Sequence, residues 1–150
     1  MEPDLFGDAG EILRTLLPPE LDDVRMRSHR YGLKVWFGTD KPGREHYKAQ
    51  VVGARHVPEA KHLAVELGFH AEHPKLVDNQ HALDALVAHE KRWRKVLGPQ
   101  ARAAPFLGRD TWRRLSETWP DVDLSDPDLA EEIAMRLLDY ALSLEPLRHG

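Results

Sequence analysis

The sequence predicts an α+β fold: an antiparallel sheet of about four strands, covered on one face by two or three helices, in the order α-β-β-β-α-β-α. Two patterns and their punctuation carry this reading. Apolar and polar residues alternate through stretches near residues 24–37, 46–53 and 65–72, which is the period of half-buried strands. Apolar stripes at helical spacing stand before and after them, and Gly, Pro and Asp clusters separate the two kinds of segment. A chain of 150 residues fits one domain, spanning 1–150, and a domain of that size buries about 70% of the surface its unfolded chain exposes.

The first element is a short amphipathic helix with Asp8 as its cap, a stripe of Ile12, Leu13, Leu16 and Leu17, and a stop at Pro18-Pro19. From Val24 to Phe37 the chain alternates, with Gly32 as a bulge or bend, so that Leu33, Val35 and Phe37 face one way and Lys34 and Trp36 the other. The run Gly38-Thr39-Asp40-Lys41-Pro42-Gly43 has the turn chemistry of a hairpin connection. In the second strand Tyr47, Ala49, Val51 and Gly53 alternate with His46, Lys48, Gln50 and Val52. The third puts Val65, Leu67, Phe69 and Ala71 on one face and Glu66, Gly68, His70 and Glu72 on the other.

His73-Pro74 opens a helix whose stripe of Leu76, Leu83, Leu86, Val87, Trp93 and Leu97 runs to Gly98-Pro99. Residues 101–109 read as a loop anchored by Phe106 and Leu107, and Thr111 to Trp119 as a fourth strand or, around Trp112–Leu115, a helical turn. In the last helix Asp126 is the N-cap, Pro127 takes the first position, and Leu129, Ile133, Leu137, Tyr140 and Leu144 form the core face. Met135, Leu138 and Leu142 form a second apolar stripe, the candidate contact of a homodimer.

Composition excludes several functions. With no cysteine there are no disulfides and no thiolate ligands or nucleophile. A formal charge of −4 argues against a nucleic-acid partner, because polyanion binders carry a basic excess. No run of 18 apolar residues occurs and the first residues, Met1-Glu2-Pro3-Asp4, do not form a signal sequence, so no membrane partner and a cytoplasmic location are expected. The four serines, at 28, 116, 125 and 143, stand in no Gly-x-Ser-x-Gly elbow, and both Gly-x-Gly-x-x-Gly and the P-loop are absent.

Chemistry concentrates in the histidines, eight of which lie between residues 29 and 89. The strand phases put Lys34, Trp36, His46, Lys48, Gln50, Glu66, His70 and Glu72 on one sheet face, opposite the apolar core. Two functions follow. One is a non-enzymatic binding or regulatory module whose open polar face holds a small-molecule or protein ligand through Lys34, Trp36, Lys48 and Gln50. The alternative is a small hydrolase or isomerase with His46, Glu66 and His70 as acid–base groups and Lys48 as an anion anchor, a site that a metal would also suit. Whether the chain is an enzyme stays open between them. A metal requires three or four ligands within about 2.0–2.2 Å of one ion. Glu66 and His70 are about 13 Å apart in rise, so both reach one ion only through a bend; His70 with Glu72, or His73 with His46, are the better-placed pairs. With no His-Glu-x-x-His or His-x-His motif, no metal ligand and no cofactor are assigned.

The runs Val35-Trp36-Phe37-Gly38-Thr39-Asp40, Glu45-His46-Tyr47 and Glu66-Leu67-Gly68-Phe69-His70-Ala71-Glu72-His73-Pro74 resemble a group of small uncharacterised actinobacterial proteins, and the likeness extends over most of the chain. That resemblance implies no activity and transfers no functional residue. The element order is also similar to the core of PD-(D/E)xK nucleases, whose acidic pair and lysine position a divalent metal. Here Gly68 stands where the lysine would follow Glu66, and the preceding strand offers no well-placed aspartate.

Overall fold

The computed structural model describes residues 4–38 and 44–148, so the predicted hairpin connection at residues 39–43 lies outside the described residues. Helix α1 (Leu5–Leu16) is followed by strands β1 (Val24–His29), β2 (Gly32–Phe37), β3 (Glu45–Gly53) and β4 (Leu63–Ala71). Helices α2 (Leu76–Val87) and α3 (Glu90–Leu97), strands β5 (Arg102–Phe106) and β6 (Arg109–Pro120), and helix α4 (Leu129–Arg148) complete the chain. The strands form one antiparallel sheet in the order β1-β2-β3-β4-β6-β5.

The α+β class stands, but the expected four strands in the order α-β-β-β-α-β-α are corrected to a six-stranded sheet with four α-helices, and the likeness to the nuclease order goes with them. One extra strand comes from Val24–Phe37, which is a hairpin rather than a single strand. His29 pairs with Gly32 across the two-residue loop Arg30-Tyr31, and neither loop residue has a positive φ. The Asn-Gly or Gly-Gly signal of the favoured hairpin turns is therefore missing. Instead Tyr31 N donates to His29 Nδ1 at 3.1 Å, which assigns that histidine a turn-closing role. The other extra strand is β5, in the segment expected to be a loop. It pairs only with β6, so Pro105 is tolerated on an edge strand, and Gly108 (φ +79°) supplies the turn.

The single helix expected to run to Leu97 is broken between Val87 and Glu90, and it buries Leu83, Leu86, Trp93 and Leu97 while leaving Leu76 and Val87 exposed. In α1 the cap is Asp4, not Asp8: Asp4 Oδ1 accepts from Gly7 N at 3.2 Å, and Asp8 lies in the first turn, where a carboxylate also suits the helix dipole. The core face of α4 is as the spacing predicts, with Leu129, Ile133, Leu137, Tyr140 and Leu144 all buried. Along its second stripe Met135 and Leu142 are exposed, whereas Leu138 is partly buried against the core. No helix among the described residues is long and apolar enough to cross a membrane.

The α-helices pack on the apolar face of the sheet, where Leu33, Val35, Tyr47, Ala49, Val65, Leu67, Phe69 and Leu115 meet α1 and α4 in one core. Two polar devices fasten them there. Tyr47 Oη donates to Glu145 Oε2 at 2.6 Å, and buried Glu117 accepts from Tyr140 Oη at 2.8 Å and Arg136 Nη2 at 2.8 Å. Asn79, fully buried in α2, ties the helix to two strand ends: its side chain accepts from His73 N and donates to the carbonyls of His73 and Thr111. Asn79→Ala would leave those buried groups unpaired, and a loss of about 2–3 kcal/mol in urea unfolding is expected.

Candidate metal centre

Among the described residues no α-helix packs on the opposite face of the sheet, and register brings several of the predicted residues together there. His46 stands directly across from His70, Gln50 from Glu66 and Lys34 from Lys48. The central groups are nevertheless removed from solvent: His46, Glu66 and His70 are each 0% exposed. Phe106 from the edge hairpin lies edge-on to His70, ring centroids 4.8 Å apart, and Trp112 stacks edge-on against Phe106 at 5.5 Å. The turn after β3 closes in as well, since His56 lies beside Gly108.

The separation expected between Glu66 and His70 does not hold at the level of side chains. His70 Nε2 is 2.7 Å from Glu66 Oε2 and 3.0 Å from Oε1, although the residues are four apart in one strand. The residue between them on that face is Gly68, at φ +153°, whose backbone is pressed against β6: a Cβ there would stand 2.5 Å from Leu115 O and 2.6 Å from Ser116 Cα. With no side chain between them and the strand distorted at its midpoint, the carboxylate and imidazole lean together and meet.

Glu66 is held from several sides. Gln50 Nε2 donates to its Oε1 at 3.0 Å, Ser116 also hydrogen-bonds it, and the Ser116 hydroxyl in turn accepts from Arg114 Nη1 at 2.8 Å. Burial raises the pKa of Glu66, but the His70 charge together with the hydrogen bonds from His70, Ser116 and Gln50 keeps the carboxyl below its usual value; burial lowers His70, and Glu66 and Glu72 together hold it above its ordinary value. Ser116 and Arg114 were not singled out from the sequence. Alternation through β6 could have found them, because Trp112, Arg114, Ser116 and Thr118 share one parity.

With Nε2 committed to Glu66, the other nitrogen of His70 faces Glu72. His70 Nδ1 lies 3.3 Å and His46 Nε2 3.4 Å from Glu72 Oε2, and neither contact has hydrogen-bond geometry. One ligand atom from each of His46, His70 and Glu72 lies within 4.8 Å of the others. Burial pushes His46 down to about 4, leaving it a neutral imidazole at pH 7, and His46 and His70 hold Glu72 well below the carboxylate range against the opposing effect of burial. The set therefore offers a neutral imidazole, a carboxylate and a second imidazole oriented by a buried carboxylate, which is how metal-binding histidines are commonly fixed.

The remaining residues divide. His73 does not join His46; its Nε2 pairs with Glu45 Oε2 at 2.8 Å, in a chain that continues through Arg148 to Glu145. His81 and His89 are exposed on the helical side. Trp36 is buried and therefore not a freely exposed stacking platform, while Lys34, Lys48 and Gln50 are half-buried around the centre. Burial lowers the pKa of Lys34, Glu72 counteracts this, and Lys48 and Arg27 add to the lowering, so Lys34 stands within electrostatic reach of both the centre and its cationic neighbours. No protein-family model, curated protein or solved structure matches the chain, and the geometry of this face alone carries the functional reading.

Proposed function

We propose that the chain is a small metal-dependent hydrolase or isomerase whose centre is a divalent first-row transition ion held by His46, His70 and Glu72. The observation that carries this reading is the convergence of two buried imidazoles and one carboxylate, one ligand atom from each within 4.8 Å of the others, with His46 Nε2 and His70 Nδ1 both turned to Glu72 Oε2 and neither in a hydrogen bond. Buried ring nitrogens without hydrogen bonds are uncommon in folded proteins, and a cation that displaces the His70 proton would satisfy His46 Nε2 and His70 Nδ1 together with the carboxylate. Two histidines and one carboxylate leave coordination positions for substrate or water, unlike a closed four-ligand structural site. When bound, such an ion polarises a carbonyl or phosphoryl oxygen and acidifies a coordinated water.

In this reading His46 and His70 are ligands, not acid–base groups. Glu66 is a positioning residue: it holds the Nε2 proton of His70, so the proton that metal binding releases would leave Nδ1. A shallow binding module needs no such buried triad, which favours the enzymatic reading over recognition by an exposed sheet face.

Titration of the metal-free protein with zinc and with cobalt tests the proposal. One equivalent is expected to bind, with a cobalt absorption spectrum of nitrogen and oxygen ligation, and His46→Ala or Glu72→Gln is expected to weaken binding by at least about 100-fold. Absence of stoichiometric binding, or binding unchanged in both variants, would sink the proposal.

A further inference from the structure

Next to the buried triad, the sheet sets like charges against one another. Register runs in an unbroken line from Arg27 on β1 to Lys34 on β2 and Lys48 on β3, then through Gly68 and Ser116 to Arg102 on β5. Directly opposed side chains in an antiparallel pair share one face, and like charges in that position repel. Among the described residues none of these four cations forms an ion pair with a carboxylate. They stand on a chain whose formal charge is −4.

The row lies one register step from the centre: Lys48 is two residues from His46 on β3, and Gly68 is two residues from His70 on β4. Of the three candidate ligands Glu72 alone retains side-chain exposure, 9% against 0% for both histidines, and Glu72 is the ligand whose charge reaches Lys34. An anion between Lys34 and Lys48 would relieve the repulsion in the row and stand one register step from the His46–His70 pair. Ammonium groups on flexible stems suit such a ligand, since as point charges they accept phosphate or carboxylate without demanding one bidentate geometry.

We propose that the substrate of this site carries an oxyanion, phosphate or carboxylate, bound by Lys34 and Lys48 with Arg27 behind them. This rests on the metal-centre reading for the word substrate, but the anion seat is separable from it. The seat sets orientation: an anionic group anchored at the lysine pair places the adjoining part of the molecule beside His46 and His70.

Calorimetric titration of the zinc-loaded protein with inorganic phosphate and with malonate, at constant chloride, tests the seat. One-to-one binding of at least one probe is expected, weakened by at least about tenfold in Lys34→Gln/Lys48→Gln, while zinc affinity stays within about twofold of native. Preference for phosphate identifies a phosphoryl substrate, and preference for malonate a carboxylate. Retained zinc with no binding of either probe, or with unchanged affinity in the double variant, overturns the proposal. If no zinc binds, the metal reading falls and the same titration on the metal-free protein decides the seat alone: a tenfold loss upholds it and no loss overturns it.

Discussion

Replacing His70 with alanine is expected to lower unfolding free energy by about 3–5 kcal/mol and to eliminate metal binding, with the two effects arising from opposite ends of the same ring. At Nε2 the imidazole neutralises Glu66, which is fully buried; without it an ionised carboxylate would remain inside the sheet face with only Gln50 and Ser116 for company. At Nδ1 the ring supplies one of the three candidate ligands. Denaturant unfolding separates the contributions. The double variant His70→Ala/Glu66→Gln, which removes the stranded charge, should recover part of the stability lost in the single variant and none of the metal binding. Zinc at about 100 times its dissociation constant should stabilise the native protein by about 2.7 kcal/mol and leave both variants unmoved. A single variant within about 1 kcal/mol of native would mean that Glu66 and His70 are not a charge pair.

The same ring shows what alternation reveals and what it omits. Period-2 patterning placed Lys34, Trp36, His46, Lys48, Gln50, Glu66, His70 and Glu72 on one face, and the register of β2, β3 and β4 agrees. Alternation reports the side to which a residue points, not how deeply it is covered. Phe106 from an edge hairpin packs against His70, with Trp112 behind it, and β5 was hidden because Ala103, Ala104 and Pro105 carry little strand signal. The hairpin at Arg30-Tyr31 was hidden for a related reason, its turn being closed by a His29 side chain rather than by the usual glycine or asparagine. Helix α4 is legible from its stripe, but its start is corrected: it begins at Leu129 rather than at Pro127, and Asp126, read as the N-cap, instead accepts from Asp128 N at 2.9 Å in the turn before the helix. Glu72 was legible as a partner for His70, yet its contact with His46 follows from strand pairing between distant segments, which no local pattern contains.

Gly68→Ala is expected to cost about 3–5 kcal/mol, combining backbone strain at φ +153° with overpacking against β6. An added methyl would meet Leu115 O at 2.5 Å and Ser116 Cβ at 2.6 Å, so relief requires β4 and β6 to separate. Neither backbone atoms nor the short Ser116 side chain can rotate away as the end of a long chain would. Separation would also carry Ser116 away from Glu66 and loosen the carboxylate that orients His70. The substitution should therefore weaken zinc binding by about 10–100-fold although residue 68 supplies no ligand, the range found for disturbed outer partners of metal-binding histidines. Gly53→Ala is the control, because Gly53 ends β3 with open space where its Cβ would stand and should change neither stability nor metal affinity appreciably. Native zinc affinity in folded Gly68→Ala, measured at a temperature where its circular dichroism matches native, would show that the Glu66–His70 contact does not depend on the missing side chain. A loss of affinity would identify the glycine between Glu66 and His70 as the reason that two residues four apart on a strand act at one site.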